Sequence, residues 1–237
     1  GKNNIQATLN ECFSIMRVMN DSNGAESYVN YVYEGFLKYF DNSSYRIIEG
    51  YPDYIYRTSD LIKLAGRKYE KKRNEINFFK KHYIASFERF YSKHIADALL
   101  MIDQWKKDKI QDSNLSNHKE AHYQYGLIHE AEAAKCAIIF SEELGLAGAN
   151  VMIHGKIEGI TLGERVTSNT GSVLIEKTNN NFHGMPQVIY QQFCATDFHD
   201  IEYINAGEDW GLEGLRRAKM SYHPCMLAKK FFIYKKL

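Results

Sequence analysis

Apolar residues recur with two different periods along this chain, and the change falls near Asn150. Ahead of it the spacing is three and four. Leu9, Cys12, Phe13 and Met16 predict a helix within residues 1–24, closed by a turn at Asn20-Asp21-Ser22-Asn23-Gly24. Val29, Val32, Tyr33, Phe36, Leu37 and Phe40 predict an amphipathic helix over residues 26–40. Short strands are expected at 45–48 and 54–56, around Gly50 and Pro52, and Thr58-Ser59-Asp60 then caps a long helix over 61–80. Residues 82–90 alternate weakly and predict a strand. Ile95, Ala98, Leu99, Ile102 and Trp105 define a helix over 95–109, and a second long helix is expected over 118–144 after a polar loop at 111–117.

Beyond Asn150 the period is two. Residues 151–154 and 157–164 flank a Gly155-Lys156 turn and predict a β-hairpin. Strands at 172–176, 201–205 and 226–234 then alternate with helices at 186–196 and 212–220. The expected order after residue 85 is a strand, two helices, three strands, and then helix, strand, helix, strand.

Within that order, Gly171 to Gln192 carries the densest chemical signal. A β-branched run ends in Glu176-Lys177, passes through a polar loop to Gly184, and reaches Pro186 at the expected first turn of a helix. A strand ending in a carboxylate beside a helix N-terminus is one way to set a base next to an anion site. An ordinary strand-to-helix connection has the same pattern.

Composition narrows the classes. With 237 residues, 44% hydrophobic, 25% charged and three prolines, the chain is globular rather than disordered. A net charge of +1 confines any nucleic-acid or anionic-lipid contact to a local patch. Such a patch is present: between Lys63 and Lys81 there are eight Lys or Arg against two Glu, densest at Arg67-Lys68-Tyr69-Glu70-Lys71-Lys72-Arg73. Tyr69, Arg73 and Ile76 share one helical face, so Arg73 and Arg67 are expected to face an anion, while the other charges read as a solvated face. The four cysteines, Cys12, Cys136, Cys194 and Cys225, are far apart and read as separate reduced thiols. No apolar run reaches the length of a membrane span and no signal peptide opens the chain, so a cytoplasmic protein is expected, or a cytoplasmic piece of a larger one.

His118, His122 and His129 fall nearly on one helical face, but Lys119 stands where a metalloprotease motif has Glu, and no metal site is expected. Serine-nucleophile and P-loop motifs are missing, which favours direct transfer between two bound substrates. Residues 205–224 are dense in polar groups for a connection between strands. Tyr222 and His223 sit where Pro224 ends a helix, and both are competent proton donors. A capped helix with solvated arginines has the same composition.

Three separated motifs resemble the phosphatidylglycerol lysyltransferase C-terminal-domain family, which includes stand-alone bacterial proteins. They are Gly66-Arg67-Lys68-Tyr69 with Lys72-Arg73-Asn74 and Ile76-Asn77; Ile175-Glu176-Lys177 with Gly184, Gln187-Val188-Ile189 and Gln192-Phe193; and Gly214-Leu215-Arg216 with Ala218-Lys219 and Ser221-Tyr222-His223-Pro224. The resemblance runs from about Tyr54 to the C-terminus. It implies an α/β (α+β) fold of two tandem GNAT-like acyltransferase units with the active cleft between them. The first unit, residues 1–85, is abbreviated and includes the basic helix; the second is 86–237. The implied activity is transfer of an aminoacyl group from aminoacyl-tRNA to an amine or hydroxyl acceptor, such as a lipid head group or another small molecule, at the inner membrane face or in the cytoplasm. An acyl-CoA donor, or a non-catalytic RNA- or protein-binding role, are the alternatives. Carried over by position, Glu176 would orient or deprotonate the acceptor, and Tyr222 or His223 would protonate the leaving atom. Arg67, Lys68, Lys72, Arg73, Asn74, Arg216 and Lys219 would bind the donor. Lys177 and Asn179 would line the cleft beside Glu176, and Gly184 and Gln187 would occupy the loop that holds pyrophosphate in coenzyme A-dependent relatives. That loop has a single Gly followed by Met185-Pro186, poorer in free N–H groups than a coenzyme A loop, so aminoacyl-tRNA is the preferred donor.

Overall fold

A computed structural model describes residues 2–20, 26–111 and 117–236. In chain order the elements begin with α1 (Lys2–Asn20), β1 (Tyr28–Tyr33), a 3₁₀ helix at Glu34–Tyr39, β2 (Tyr45–Glu49), β3 (Asp53–Arg57) and α2 (Thr58–Lys63). Next come a 3₁₀ turn at Arg67–Tyr69, α3 (Glu70–His82), β4 (Ala85–Arg89), α4 (Ile95–Gln111) and α5 (Asn117–Ile139). The remainder is β5 (Ala147–Ile153), β6 (Lys156–Arg165), β7 (Thr170–Thr178), α6 (Met185–Asp197), β8 (Tyr203–Asn205), α7 (Glu213–Met220), β9 (Met226–Ala228) and β10 (Lys230–Lys235).

These elements form two compact units. The first comprises Gly1–Ile55, Glu208–Met220 and Met226–Leu237; the second comprises Tyr56–Gly207 and Ser221–Cys225. The division differs from the expected boundary near residue 85. The basic segment belongs to the second unit, and the last strand returns to the first.

In the first unit β10 lies between β1 and β2, antiparallel to both. One face of this sheet buries Phe231 and Ile233 of β10 with Tyr45 of β2 and Phe13 of α1. The helix expected over 26–40 is a strand followed by a 3₁₀ helix. The run Tyr28-Val29-Asn30-Tyr31-Val32-Tyr33 is rich in β-branched and aromatic residues, and pairing with β10 outweighs its helical spacing. The start of β3 pairs antiparallel with β9, and the strand expected over 226–234 is two strands, β9 and β10. The expected turn at 20–24 and the centre of the 111–117 loop lie outside the described residues.

In the second unit β4, β5, β6 and β7 form an antiparallel run, and β8 adds parallel to β7. From β4 to β8 this is the succession of strands and helices expected from the sequence. The β5–β6 turn is made by His154 and Gly155, both with positive φ, a residue earlier than expected. α4 and α5 cover one face of the sheet through Ile102, Trp105, Ala131 and Ile138 packed on Ile160 and Leu162. α3 and α6 cover the other, with Ile76, Phe79, Met185 and Ile189 packed on Val151 and Ile153.

The long basic helix expected over 61–80 is broken. Leu64 takes a left-handed conformation (φ 45°) with its N–H donated to the Asp60 carbonyl at 2.8 Å, and Gly66 follows at φ 86°. α3 then starts afresh at Glu70. Among the described residues no helix is long and apolar enough to cross a membrane.

Candidate active site

The parallel pairing of β7 with β8 covers only Thr170–Ser172 against Tyr203–Asn205, yet β7 continues to Thr178. Asn205 ends β8 by accepting the Gly207 N–H at 2.7 Å, a turn that Gly207 closes with positive φ. Glu176 lies on the part of β7 that runs past its neighbour. Side chains alternate along a strand, so Glu176 points to the α3/α6 face.

Four elements converge there. Lys72 and Glu75 come from α3, one turn apart, with Lys72 Nζ 3.8 Å from Glu75 Oε2. Tyr190 and Cys194 come from α6 at i and i+4, and Tyr222 from the segment after α7. Tyr222 meets Tyr190 edge-on at 5.3 Å and Tyr56 at 6.2 Å between ring centroids. The Lys72 ammonium stands over the Tyr222 ring, 4.3 Å from its centroid. The Tyr69 hydroxyl donates to the Tyr222 carbonyl at 3.0 Å, fixing the backbone that carries this ring.

Charge and burial set the protonation states. Burial raises the Tyr222 phenol well above its ordinary value, and Glu176 and Glu75 add to the effect. The proton stays on at physiological pH, so the Tyr222 phenol can donate a hydrogen bond. Burial lowers Lys72, opposed by Glu75, with Lys71 lowering it further and Glu176 raising it. The Cys194 thiol is raised, first by burial and then by Glu176, which leaves it inert as a nucleophile. The Tyr69 phenol is pushed up to about 12, chiefly by burial.

The remaining expected site residues are placed as follows. Arg67, Lys68 and Asn74 are exposed, and Lys68 Nζ lies 3.8 Å from Asp60 and 4.8 Å over the Tyr69 ring. Arg73 clamps the break before α3, its Nη1 donating to the carbonyls of Leu64 and, at 2.7 Å, of Gly66. His223 has φ 53°, its Nε2 is 3.1 Å from the Lys68 carbonyl, and its ring packs edge-on against Tyr69. Gln187 is half-buried in the first turn of α6.

Three groups of expected site residues have other surroundings. Lys177 and Asn179 do not share the face of Glu176, because the pleat turns them to the α4/α5 side. Lys177 pairs there with Glu130 and stands over the Trp105 ring at 4.5 Å, while Asn179 donates to Glu158 at 2.8 Å. Gly184 is buried with φ 88°, and a Cβ there would come within 2.2 Å of the Glu75 carbonyl oxygen, so this glycine lets α6 approach α3. The adjacent Met185 N–H is already engaged, donating to the Phe182 carbonyl at 3.1 Å. Arg216 and Lys219 belong to the first unit. Arg216 Nε is 2.7 Å from Asp209, a carboxylate only 1% exposed that also accepts from Tyr54 at 2.7 Å. Lys219 lies 5.8 Å from the Tyr54 ring centroid.

The sequence reading missed Glu75 and Tyr190. The helical count Lys72, Glu75, Ile76, Phe79 would have found the first, since the two buried apolar members define its face. Tyr190 reads as core by spacing alone. Among the described residues no group of three or more His, Cys, Asp and Glu could hold a metal ion. His129 packs on Tyr125 at 4.1 Å, and the side chains of His118 and His122 lie outside those described.

Residues 8–234 match the family described as phosphatidylglycerol lysyltransferase, C-terminal. A conserved protein of unknown function from Bacteroides thetaiotaomicron is similar over 98% of this chain and 75% of its own, with 28% identity and a TM-score of 0.78. The L-PGS of Bacillus licheniformis is similar over 91% of this chain and 69% of its own, at 15% identity and a TM-score of 0.62. The C-terminal domain (DUF2156) of a putative lysylphosphatidylglycerol synthetase from Agrobacterium fabrum matches over 95% and 72%, at 12% identity and a TM-score of 0.62. No curated protein matches the chain. With the fold, the Glu176 site and a match over nearly the whole length in hand, the chain belongs to the phosphatidylglycerol lysyltransferase C-terminal family.

Proposed function

We propose that this chain is an aminoacyltransferase that moves an aminoacyl group from aminoacyl-tRNA to an amine or hydroxyl acceptor, either a lipid head group or another small molecule. The observation that carries the reading is Glu176 on the part of β7 beyond its pairing with β8, beside a protonated Tyr222 and a buried Lys72. Glu176 accepts a proton from the acceptor as its nitrogen or oxygen bonds to the ester carbonyl carbon. Lys72 faces the oxygen on which negative charge develops. The bond from that carbon to the ribose oxygen then breaks, and Tyr222 gives its proton to the departing oxygen. Return of the proton from Glu176 to Tyr222 restores both groups.

The donor is read as tRNA for two reasons. Arg67, Lys68 and Lys71 offer exposed cations to a polyanion. The loop before α6, where a coenzyme A pyrophosphate would sit, is closed by Gly184 packed on α3. The test is transfer from radiolabelled lysyl- or alanyl-tRNA to phosphatidylglycerol vesicles and to soluble amines. Glu176→Gln is expected to lower the rate by roughly a hundredfold to ten-thousandfold with an unchanged melting temperature, and Tyr222→Phe by less. Full transfer by Glu176→Gln would remove Glu176 as the base.

A further inference from the structure

While one face of α3 packs on the sheet, its exposed face carries a regular stripe. Lys71, Asn74, Phe78 and Lys81 recur at spacings of three and four, with His82 next to Lys81, and all are exposed. From Lys71 to His82 the stripe runs for roughly 16 Å along the helix. Phe78 stands in its middle, 39% exposed. Its ring stacks on the His82 imidazole, with 4.0 Å between centroids and 21° between planes, and His183 packs on it edge-on at 5.0 Å. His82 Nδ1 donates to the Phe78 carbonyl at 2.8 Å, which holds the two rings together.

The charge along this stretch is one-sided. From Arg67 to His82 the exposed side chains include five cations, Arg67, Lys68, Lys71, Lys80 and Lys81, against one carboxylate, Glu70. Asp60, outside the stretch, lies 3.8 Å from Lys68. A single exposed Phe is ordinary, but a stacked ring pair set among cations suits a ligand with flat rings and negative charge. Phosphates use the cations, and planar bases use the ring surface. A duplex keeps its bases inside its own stack, so unpaired nucleotides are the ones that engage both features. Asn74 adds an amide able to hydrogen-bond a base edge. A lipid surface has nothing planar to extend the stack.

We infer that Phe78, with His82 and His183, is a stacking ledge for unpaired nucleotides of RNA, with Lys71 and Lys81 placed for their phosphates. The inference rests on the tRNA reading of the donor and deepens it, by naming the single-stranded end as the part that is held. His183 belongs to the connection from β7 to α6, so the ledge joins the exposed stripe of α3 to the loop that follows the Glu176 strand.

Fluorescence anisotropy with the whole chain compares an unstructured oligoribonucleotide, a blunt-ended RNA duplex and an intact tRNA at equal salt. The single strand and the tRNA are expected to bind more tightly than the duplex. Phe78→Leu keeps the apolar bulk and loses the ring face. It is expected to weaken the single strand and the tRNA by roughly fivefold to a hundredfold, leaving duplex binding, the salt slope and the melting temperature unchanged. Phe78→Tyr keeps the ring and is expected to keep the parental affinities. No binding of any RNA, equal binding of duplex and single strand, parental affinity in Phe78→Leu, or a Phe78→Tyr protein as weak as Phe78→Leu would overturn the inference. So would binding to phosphatidylglycerol vesicles, in place of RNA, that Phe78→Leu abolishes. Single-strand binding that follows the prediction, without tRNA binding or transfer from it, would keep the ledge and remove tRNA as the donor. Transfer from tRNA that Glu176→Gln abolishes, with kcat/KM unchanged in Phe78→Leu, would keep the transferase reading and remove the ledge.

Discussion

Asp209 shows how a buried carboxylate can engage an arginine expected in a substrate site. Its carboxylate is 1% exposed and takes hydrogen bonds from Arg216, Tyr54 and the Gly211 N–H, with the last at 2.9 Å. The Arg216 hydrogen bond is the main reason its pKa falls to about 2, with Tyr54 and Gly211 helping against burial. A carboxylate with a lowered folded pKa adds stability that is fully present above its ordinary value near 3.8 and is lost as pH falls toward 2. Asp209→Asn should therefore cost on the order of 1–3 kcal/mol at neutral pH, toward the lower end because Arg216 is half exposed. It should also flatten the acid limb between about pH 4 and pH 2. Urea titrations of both proteins across that range check this, and parallel curves would contradict it. Arg73 teaches the same lesson in the second unit. Its place on the apolar face was legible from spacing, but its partners turned out to be backbone carbonyls left by the break at Leu64.

At the scale of elements, the junction between α3 and α6 positions the site. α3 delivers Lys72 and Glu75, α6 delivers Tyr190 and Cys194, and Gly184 lets them come close. Gly184→Ala would meet the Glu75 carbonyl at 2.2 Å and also oppose a φ of 88°. The expected loss is on the order of 2–4 kcal/mol in chemical denaturation, with transfer falling further than Ala substitution at the exposed Gly214 would cause. A Gly184→Ala protein as stable as the parent would mean that this contact is not close. Elements with one dominant pattern were legible from sequence: α4 and the β5–β6 hairpin both lie within a residue or two of where periodicity put them. β1 was not. Its residues satisfy helical spacing and strand propensity alike, and the choice depends on β10, which lies about 200 residues away in the chain.

At the scale of the whole molecule, a near-neutral chain presents a local basic surface. If that surface holds tRNA, the triple reversal Arg67→Glu, Lys68→Glu and Lys71→Glu should weaken binding and lower the salt slope by roughly two to three. These side chains are exposed, so stability should hold to within about 0.5 kcal/mol for each change. Filter binding at several salt concentrations is the measurement, and an unchanged slope would place the polyanion elsewhere. The amino-acid order by itself determined the family, the succession of elements from β4 to α6, the carboxylate at the end of β7 and the tyrosine before Pro224. These are local matters, governed by propensity, turn chemistry and short motifs. Only the tertiary structure decided which charges face one another. The pleat sent Lys177 away from Glu176, a left-handed Leu64 broke the basic helix, Asp209 claimed Arg216, and packing brought Glu75 and Tyr190 to Tyr222. A side chain's partners depend on contacts between residues far apart in the chain, and periodicity carries no record of them.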